Sequence, residues 1–167
     1  MKRILVTGMS GAGKSAVIRE LADRGHDARD LDAPAWSEWV DAAPEDRLTP
    51  AAGRDWVWRE DRVRALLSEP RAAPLFVGGC ASNMHRLFSL FDAIILLSAP
   101  VETLMGRLAR RGPDSYGHHA DERRKVAALV AGVEPLLRQA ATHEIDSRPP
   151  VAATVEAILR AAGGSHR

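Results

Sequence analysis

The sequence predicts an α/β domain in three layers, with helices on both faces of a mainly parallel sheet. Three observations carry this. Continuously apolar short runs, "RILVT", "PLFVGG" and "DAIILLS", recur along the chain, as strands do when both sheet faces are covered. Longer stretches with apolar residues at helical spacing lie between them, and strands alternating with helices imply right-handed parallel crossovers. A glycine-rich segment, "GMSGAGKS", joins the first strand to the first helix. The 167 residues fit one domain, 1–167, with one substantial core, and show no repeat, low-complexity tract or linker.

Each element follows in order. "RILVT" is β-branched and apolar, and "SAVIRELADRG" then places Val17, Ile18 and Leu21 on one helical face before Gly25 stops it. "HDARDLD" is a weaker, polar strand. From Pro34 to Pro70 the charges and the four tryptophans Trp36, Trp39, Trp56 and Trp58 predict helix, interrupted near "LTPAAGR". "PLFVGG" and "DAIILLS" are strands, and the second leads through Pro100 into the helix "VETLMGRLARR". "GPDSYGHH" predicts a mobile loop. A long helix follows, bent or broken near Pro135, then the short strand "THEID", a closing helix "PPVAATVEAILRAA" and a frayed tail.

Composition narrows the classes of function. Net charge is +1, with acidic residues and arginines interspersed, so the basic stripe of a nucleic-acid binder is missing and no nucleic-acid partner is expected. The single cysteine, Cys80, excludes an internal disulfide and suits a reducing, cytoplasmic setting. The apolar stretch of "MKRILVTG" is too short for a signal peptide, and no run approaches the roughly 20 apolar residues of a membrane helix, so no membrane association is expected. Oligomeric state is not legible. Lysine is rare: only Lys2, Lys14 and Lys125 occur, so Lys14 stands out in an arginine-rich chain.

Gly8, Gly13, Lys14 and Ser15 fit the G-x-x-x-x-G-K-S/T pattern, with a strand before and a helix after. The segment Gly8, Met9, Ser10, Gly11, Ala12, Gly13, Lys14, Ser15 and Ala16 can turn successive N–H groups toward an anion, helped by the positive end of the helix dipole. Lys14 reaches the β- and γ-phosphates, and the Ser15 hydroxyl suits Mg²⁺. A bound nucleoside triphosphate follows from this pattern. No N-K-x-D run for guanine occurs, and the candidate strand "PLFVGGC" ends in glycines where a motor ATPase carries an acid.

Other residues point to transfer. Arg107 and Arg111 lie four apart on one face of a helix that opens into the glycine-rich loop. Their guanidiniums, with Arg110 as a third candidate, suit charge developing on a moving phosphoryl group. The loop, about 111–120, is expected to act as a lid that excludes water. Arg54 and Arg59 suit an acceptor's carboxylate or phosphate. Gly78 and Gly79 allow a ligand close to a strand end. The tryptophans either pack together or stack on an acceptor's base or sugar.

The order "GMSGAGKS", "DLD", "LFVGG", "FDAIILLSAPVETLMGRLARR" and "EIDSRPP" resembles the small P-loop kinases, the nucleoside monophosphate, shikimate and gluconate kinase group. The likeness spans nearly the whole chain, and the P-loop is its specific motif. It implies a five-stranded parallel sheet of order 2-3-1-4-5, ATP and Mg²⁺ as cofactors, a lid, and an acceptor region at about 33–70. It places Arg107 against the adenine, Arg110 or Arg111 on the phosphates, and Arg148 and Pro149 of "DSRPP" beside the base. Asp32 matches an aspartate that holds the acceptor hydroxyl near the metal, which makes Ser15 and Asp32 the metal-side residues. A carboxylate there can orient or deprotonate a hydroxyl. Asp30 is the neighbouring alternative, and Asp32 also suits a helix N-cap before Ala33 and Pro34. Cys80 stands where shikimate kinases carry a third glycine, and the Asp-Gly pair of nucleoside monophosphate kinases is missing, so the acceptor class stays open.

The expected activity is transfer of the γ-phosphoryl group of ATP to a small-molecule hydroxyl or a nucleoside monophosphate. A competing reading is a nucleotide-binding regulatory module without robust kinase activity.

Overall fold

In the computed structural model, which describes residues 2–43 and 49–163, strand β1 (Arg3–Thr7) buries Ile4, Leu5 and Val6 completely. Successive strand residues face opposite sides of a sheet, so this burial requires cover on both faces. Helix α1 (Lys14–Asp23) turns Val17, Ile18 and Leu21 inward. It ends at Gly25 (φ +88°), whose amide donates to the Ala22 carbonyl at 2.9 Å. Strand β2 (Asp27–Asp30) follows. Beyond the next segment come β5 (Leu75–Gly78), a 3₁₀ segment (Met84–Leu90), β6 (Ala93–Ser98), α3 (Val101–Ala109), α4 (Ala120–Ala140), β7 (His143–Asp146) and α5 (Val151–Gly163).

The sheet runs β2-β5-β1-β6-β7, and every pairing is parallel. Counting only the strands of this sheet, that order is 2-3-1-4-5. The runs Leu75–Val77 and Ile95–Leu97 are buried throughout, so helices cover both faces, with α1 against α5 and α3 against α4. No helix among the described residues is long and apolar enough to cross a membrane. The tail at 164–167, expected to fray, lies outside the described residues, as do 44–48.

One expectation is overturned. Much of the stretch expected to be helical between Pro34 and Pro70 is an antiparallel hairpin, β3 (Ser37–Asp41) with β4 (Arg54–Trp58), and among the described residues only Glu60–Ser68 forms a helix, α2. "SEWVD" and "RDWVW" are rich in tryptophan and valine, which favour the pleated surface, and the Trp39↔Trp56 cross-strand pair fixes the register. Dense charge had suggested an exposed helix. Nor is the helix broken at Pro135, which lies inside a helix that runs uninterrupted from Ala120 to Ala140. The carbonyl that loses its partner there belongs to Ala131, an exposed residue open to water.

Gly78 ends β5 where α1 crosses it, and a Cβ there would lie 2.5 Å from Ile18 Cγ1. Packing therefore accounts for this glycine. Gly78→Ala is expected to destabilise the fold by about 1–3 kcal/mol through overpacking, read as a lower urea midpoint at unchanged m-value.

Candidate active site

The C-terminal ends of β1, β2 and β5 bring the chemistry together, as expected for an open parallel sheet. Beyond β1 the chain closes a tight loop, with the Ala12 amide donating to the Met9 carbonyl at 3.0 Å. Gly13 caps α1 at φ +96°, a conformation that side chains resist. The first intrahelical bond joins the Val17 amide to the Gly13 carbonyl at 3.0 Å, so the preceding amides of the first turn are the helix's orphan donors. Those donors and the helix dipole make an anion cradle. Lys14 Nζ crosses it, donating to the carbonyls of Gly8 at 2.7 Å and Met9 at 3.1 Å.

Ser15 follows Lys14 in the first turn, and its hydroxyl donates to Asp30 Oδ2 at 2.8 Å. The other Asp30 oxygen accepts the Asp32 amide at 3.0 Å. Asp32 itself turns away from Ser15. Its Oδ1 accepts the Cys80 amide at 3.1 Å and Trp58 Nε1 at 3.4 Å. Burial pushes the Asp32 carboxyl above the usual aspartate range; the nearby Lys14 charge and the Cys80 amide pull it part of the way back. Gly79 makes this possible, since a Cβ there would sit 2.8 Å from Asp32 Oδ1. No helix starts after Asp32: the Trp36 and Ser37 amides both return to the Ala33 carbonyl in a turn. The capping role therefore drops out.

Asp30 is thus the carboxylate beside Ser15, where the sequence had favoured Asp32. Ser15 and Asp30 offer hard oxygens suited to Mg²⁺. Among the described residues no group of three His, Cys, Asp or Glu side chains could hold a metal alone. That fits an ion held mainly by substrate phosphates and water with one or two protein oxygens.

Arg107 is the arginine that reaches the loop. Its Nη1 donates to the Gly11 carbonyl and Ser147 Oγ, both at 3.1 Å, and Nη2 donates to the Ser147 carbonyl at 2.5 Å. It ties the phosphate loop to the turn after β7. A Cβ on Gly11 would approach the Leu104 carbonyl to 3.0 Å, so α3 packs directly on the loop and delivers Arg107 to it. Arg107→Ala is expected to raise the KM for ATP about tenfold, a loss of about 1.5 kcal/mol for charge-assisted bonds, with a smaller change in kcat. An unchanged KM would remove Arg107 from the nucleotide site.

The remaining candidates are dispersed. Arg110 is exposed at the end of α3, and exposed Arg111 donates to the Tyr116 carbonyl at 3.3 Å. Arg148 is exposed and grips Asp146 through both Nε and Nη2, which holds the Asp146 carboxyl below its usual range. With Pro149 next to it, Arg148 borders a cavity of 370 Å³ whose wall includes Pro100, Glu134 and Arg138. Arg59 Nη1 donates to Glu38 at 2.7 Å, and Arg54 lies over the Trp39 ring at 5.3 Å. The segment expected to be a mobile loop contains turns: the Ser115 amide donates to the Gly112 carbonyl and the Gly117 amide to Glu122, both within 3 Å.

Sequence reasoning missed the Trp58 indole and the Cys80 amide as partners of Asp32. The alternation in "RDWVW" was the available sign for the first; a backbone amide leaves none.

Comparison with known proteins bears on the fold and the family. The AAA domain family matches residues 4–127. A shikimate kinase of Pseudomonas syringae pv. syringae is 30% identical, over 97% of each chain. A protein of Verminephrobacter eiseniae described as nucleotide-binding is 27% identical, over 94% of this chain and 52% of its own length. Among solved structures, Acinetobacter baumannii shikimate kinase in complex with shikimate superposes with a TM-score of 0.65 at 23% identity, covering 96% of this chain and 92% of that one. M. mycoides deoxyadenosine kinase with bound dATP reaches a TM-score of 0.60 at 12% identity, covering 98% and 100%. The chain belongs to the AAA-domain P-loop proteins and, among them, to the small P-loop kinases, phosphotransferases that act on a small molecule or nucleotide.

Proposed function

We propose that this kinase moves the γ-phosphoryl group of ATP onto a hydroxyl of a small acceptor held beside Asp32. The observation that carries the reading is the convergence of Lys14, Ser15, Asp30 and Asp32 on one end of the sheet. The loop amides and Lys14 hold the phosphates, and Arg107 fixes the loop against the turn that flanks the base. Ser15 and Asp30 hold Mg²⁺, which supplies charge neutralisation on the phosphate oxygens. Asp32 orients the acceptor hydroxyl and accepts its proton as the hydroxyl oxygen bonds to the γ-phosphorus and the bond from that phosphorus to the bridging oxygen breaks, releasing ADP. Burial raises the pKa of Asp32, which makes it a stronger base than an exposed aspartate. Residues 33–70 form the acceptor region, and 111–120 the lid, with Arg110 and Arg111 moving onto the phosphates when it closes.

A hydroxyl fits better than a phosphate acceptor. Two carboxylates two residues apart repel a phosphate dianion but can accept a proton from an alcohol. Positioning and fixed charge supply most of the rate enhancement in such transfers. The test is incubation with γ-labelled ATP, Mg²⁺ and a panel of hydroxyl compounds and nucleoside monophosphates. Label is expected in a phosphate ester of a hydroxyl compound. Label found only in free phosphate would make the reaction hydrolysis, and label on a nucleoside monophosphate would displace the hydroxyl assignment.

A further inference from the structure

We infer that the acceptor carries a flat, uncharged ring system, a nucleobase or similar aromatic heterocycle with the reacting hydroxyl on a sugar or side arm attached to it, and stacks on the tryptophans of the β3–β4 hairpin. This rests on the phosphotransfer reading above and names the substrate class for that site. The hairpin register sets Ser37, Trp39 and Asp41 opposite Trp58, Trp56 and Arg54, so three indoles and a guanidinium share one face.

That face is fastened to the proposed acceptor carboxylate. Trp58 Nε1 donates to Asp32 Oδ1 at 3.4 Å, and Trp56 Nε1 donates to the Asp32 carbonyl at 3.2 Å. Exposure then grows along the hairpin. Trp58 is 1% exposed, Trp56 is half-buried and Trp39 is 44% exposed. Trp39 and Trp56 meet edge to face, with centroids 5.2 Å apart. Core packing explains Trp58, but it does not explain an indole that stays 44% exposed, with Arg54 over its ring, at the outer end of a row that begins at Asp32.

Two cations among the described residues of this region are already engaged. Arg59 is paired with Glu38, which the register puts on the opposite face, and Arg54 is spread over the Trp39 ring. Among the described residues, the hairpin wall beside Asp32 therefore offers ring surface more than a cation suited to an acceptor's carboxylate. Indole faces bind flat π-systems well, and each such stack is sequence- and substituent-tolerant.

The test uses deoxyadenosine and pyridoxine as flat-ringed hydroxyl compounds, and shikimate and gluconate as non-planar carboxylates. Intrinsic tryptophan fluorescence is titrated with each probe, and label transfer from γ-labelled ATP is measured for the parent, Trp39→Ala and Trp39→Phe. Saturable quenching by at least one flat-ringed probe is expected. Trp39→Ala should weaken that probe's binding about tenfold or more, leave the KM for ATP unchanged, and be largely rescued by Trp39→Phe. Should Trp39→Ala fail to fold, an unrescued loss in Trp39→Phe would count against the stacking role. Three outcomes overturn the inference: no quenching by either flat probe, binding and transfer confined to shikimate or gluconate, or a Trp39→Ala affinity equal to the parent's. None of these touches the phosphotransfer reading, which fails instead if Lys14→Ala retains label transfer.

Discussion

Replacing Lys14 with alanine is expected to lower kcat by about 10³-fold or more, because this ammonium supplies fixed charge where the transferring phosphoryl group gains it. The effect is separable from folding. Lys14 Nζ contacts only loop carbonyls among its hydrogen-bond partners, those of Gly8 and Met9, at the half-buried mouth of the loop. Water can replace it there, so the loss of stability should stay near about 1 kcal/mol. The measurement is steady-state phosphotransfer beside a thermal unfolding curve. A variant with parental kcat would end the mechanism; a variant that loses kcat and also unfolds would leave the loop with a structural role instead.

Asp32→Asn should divide the two roles of a buried carboxylate. If Asp32 is the base and orienting group proposed above, its loss is expected to lower kcat by about 10²–10⁴-fold. Its pKa is raised, chiefly by burial, so the parent's activity is expected to fall as pH drops through a value above the ordinary aspartate range. That acidic limb should vanish from the residual activity of the amide variant. Stability should move the other way. A group whose folded pKa is raised contributes stability that is present below its unfolded pKa, about 3.9, and lost as pH rises through the folded value. Asparagine stays neutral throughout and keeps an oxygen for the Cys80 amide. The variant should therefore match the parent in acid and exceed it at neutral pH in urea unfolding. A variant less stable at neutral pH would mean that the Lys14 charge and the Cys80 amide outweigh burial.

The phosphate loop was legible in the sequence because its function resides in backbone. A strand, a run of glycines and a helix start fix the direction of the N–H groups, and Lys14 and Ser15 follow at set positions on the first turn. The sheet was legible for a similar reason, since continuous apolar runs such as "RILVT" and "AIILL" leave no polar face for water. Arg107 was singled out by its spacing from Arg111 and by the family resemblance, whereas its contacts with Gly11 and Ser147 appear only in the fold.

The hairpin was not legible. In "SEWVDAAPEDRLTPAAGRDWVW" the charges suit a solvated helix as readily as a strand, and only the cross-strand meeting of Trp39 and Trp56 decides between them. That pairing joins residues far apart in sequence, which no local pattern encodes. The division of labour in "DLD" was hidden in the same way. Asp30 closes β2 and keeps its strand direction toward Ser15, whereas the chain turns after Leu31, whose amide binds the Gly78 carbonyl at 2.8 Å.

The sequence by itself determined the parallel sheet and the glycine-rich strand-to-helix loop that leads into Lys14, because these depend on periodicity and backbone conformation over a few consecutive residues. Only the tertiary structure decided which carboxylate meets Ser15, which carboxylate is buried enough to have its pKa raised, and that a wall of tryptophan stands beside it. Burial, charge proximity and ring contact are properties of residues brought together from separate strands, and the chain acquires them only when it folds.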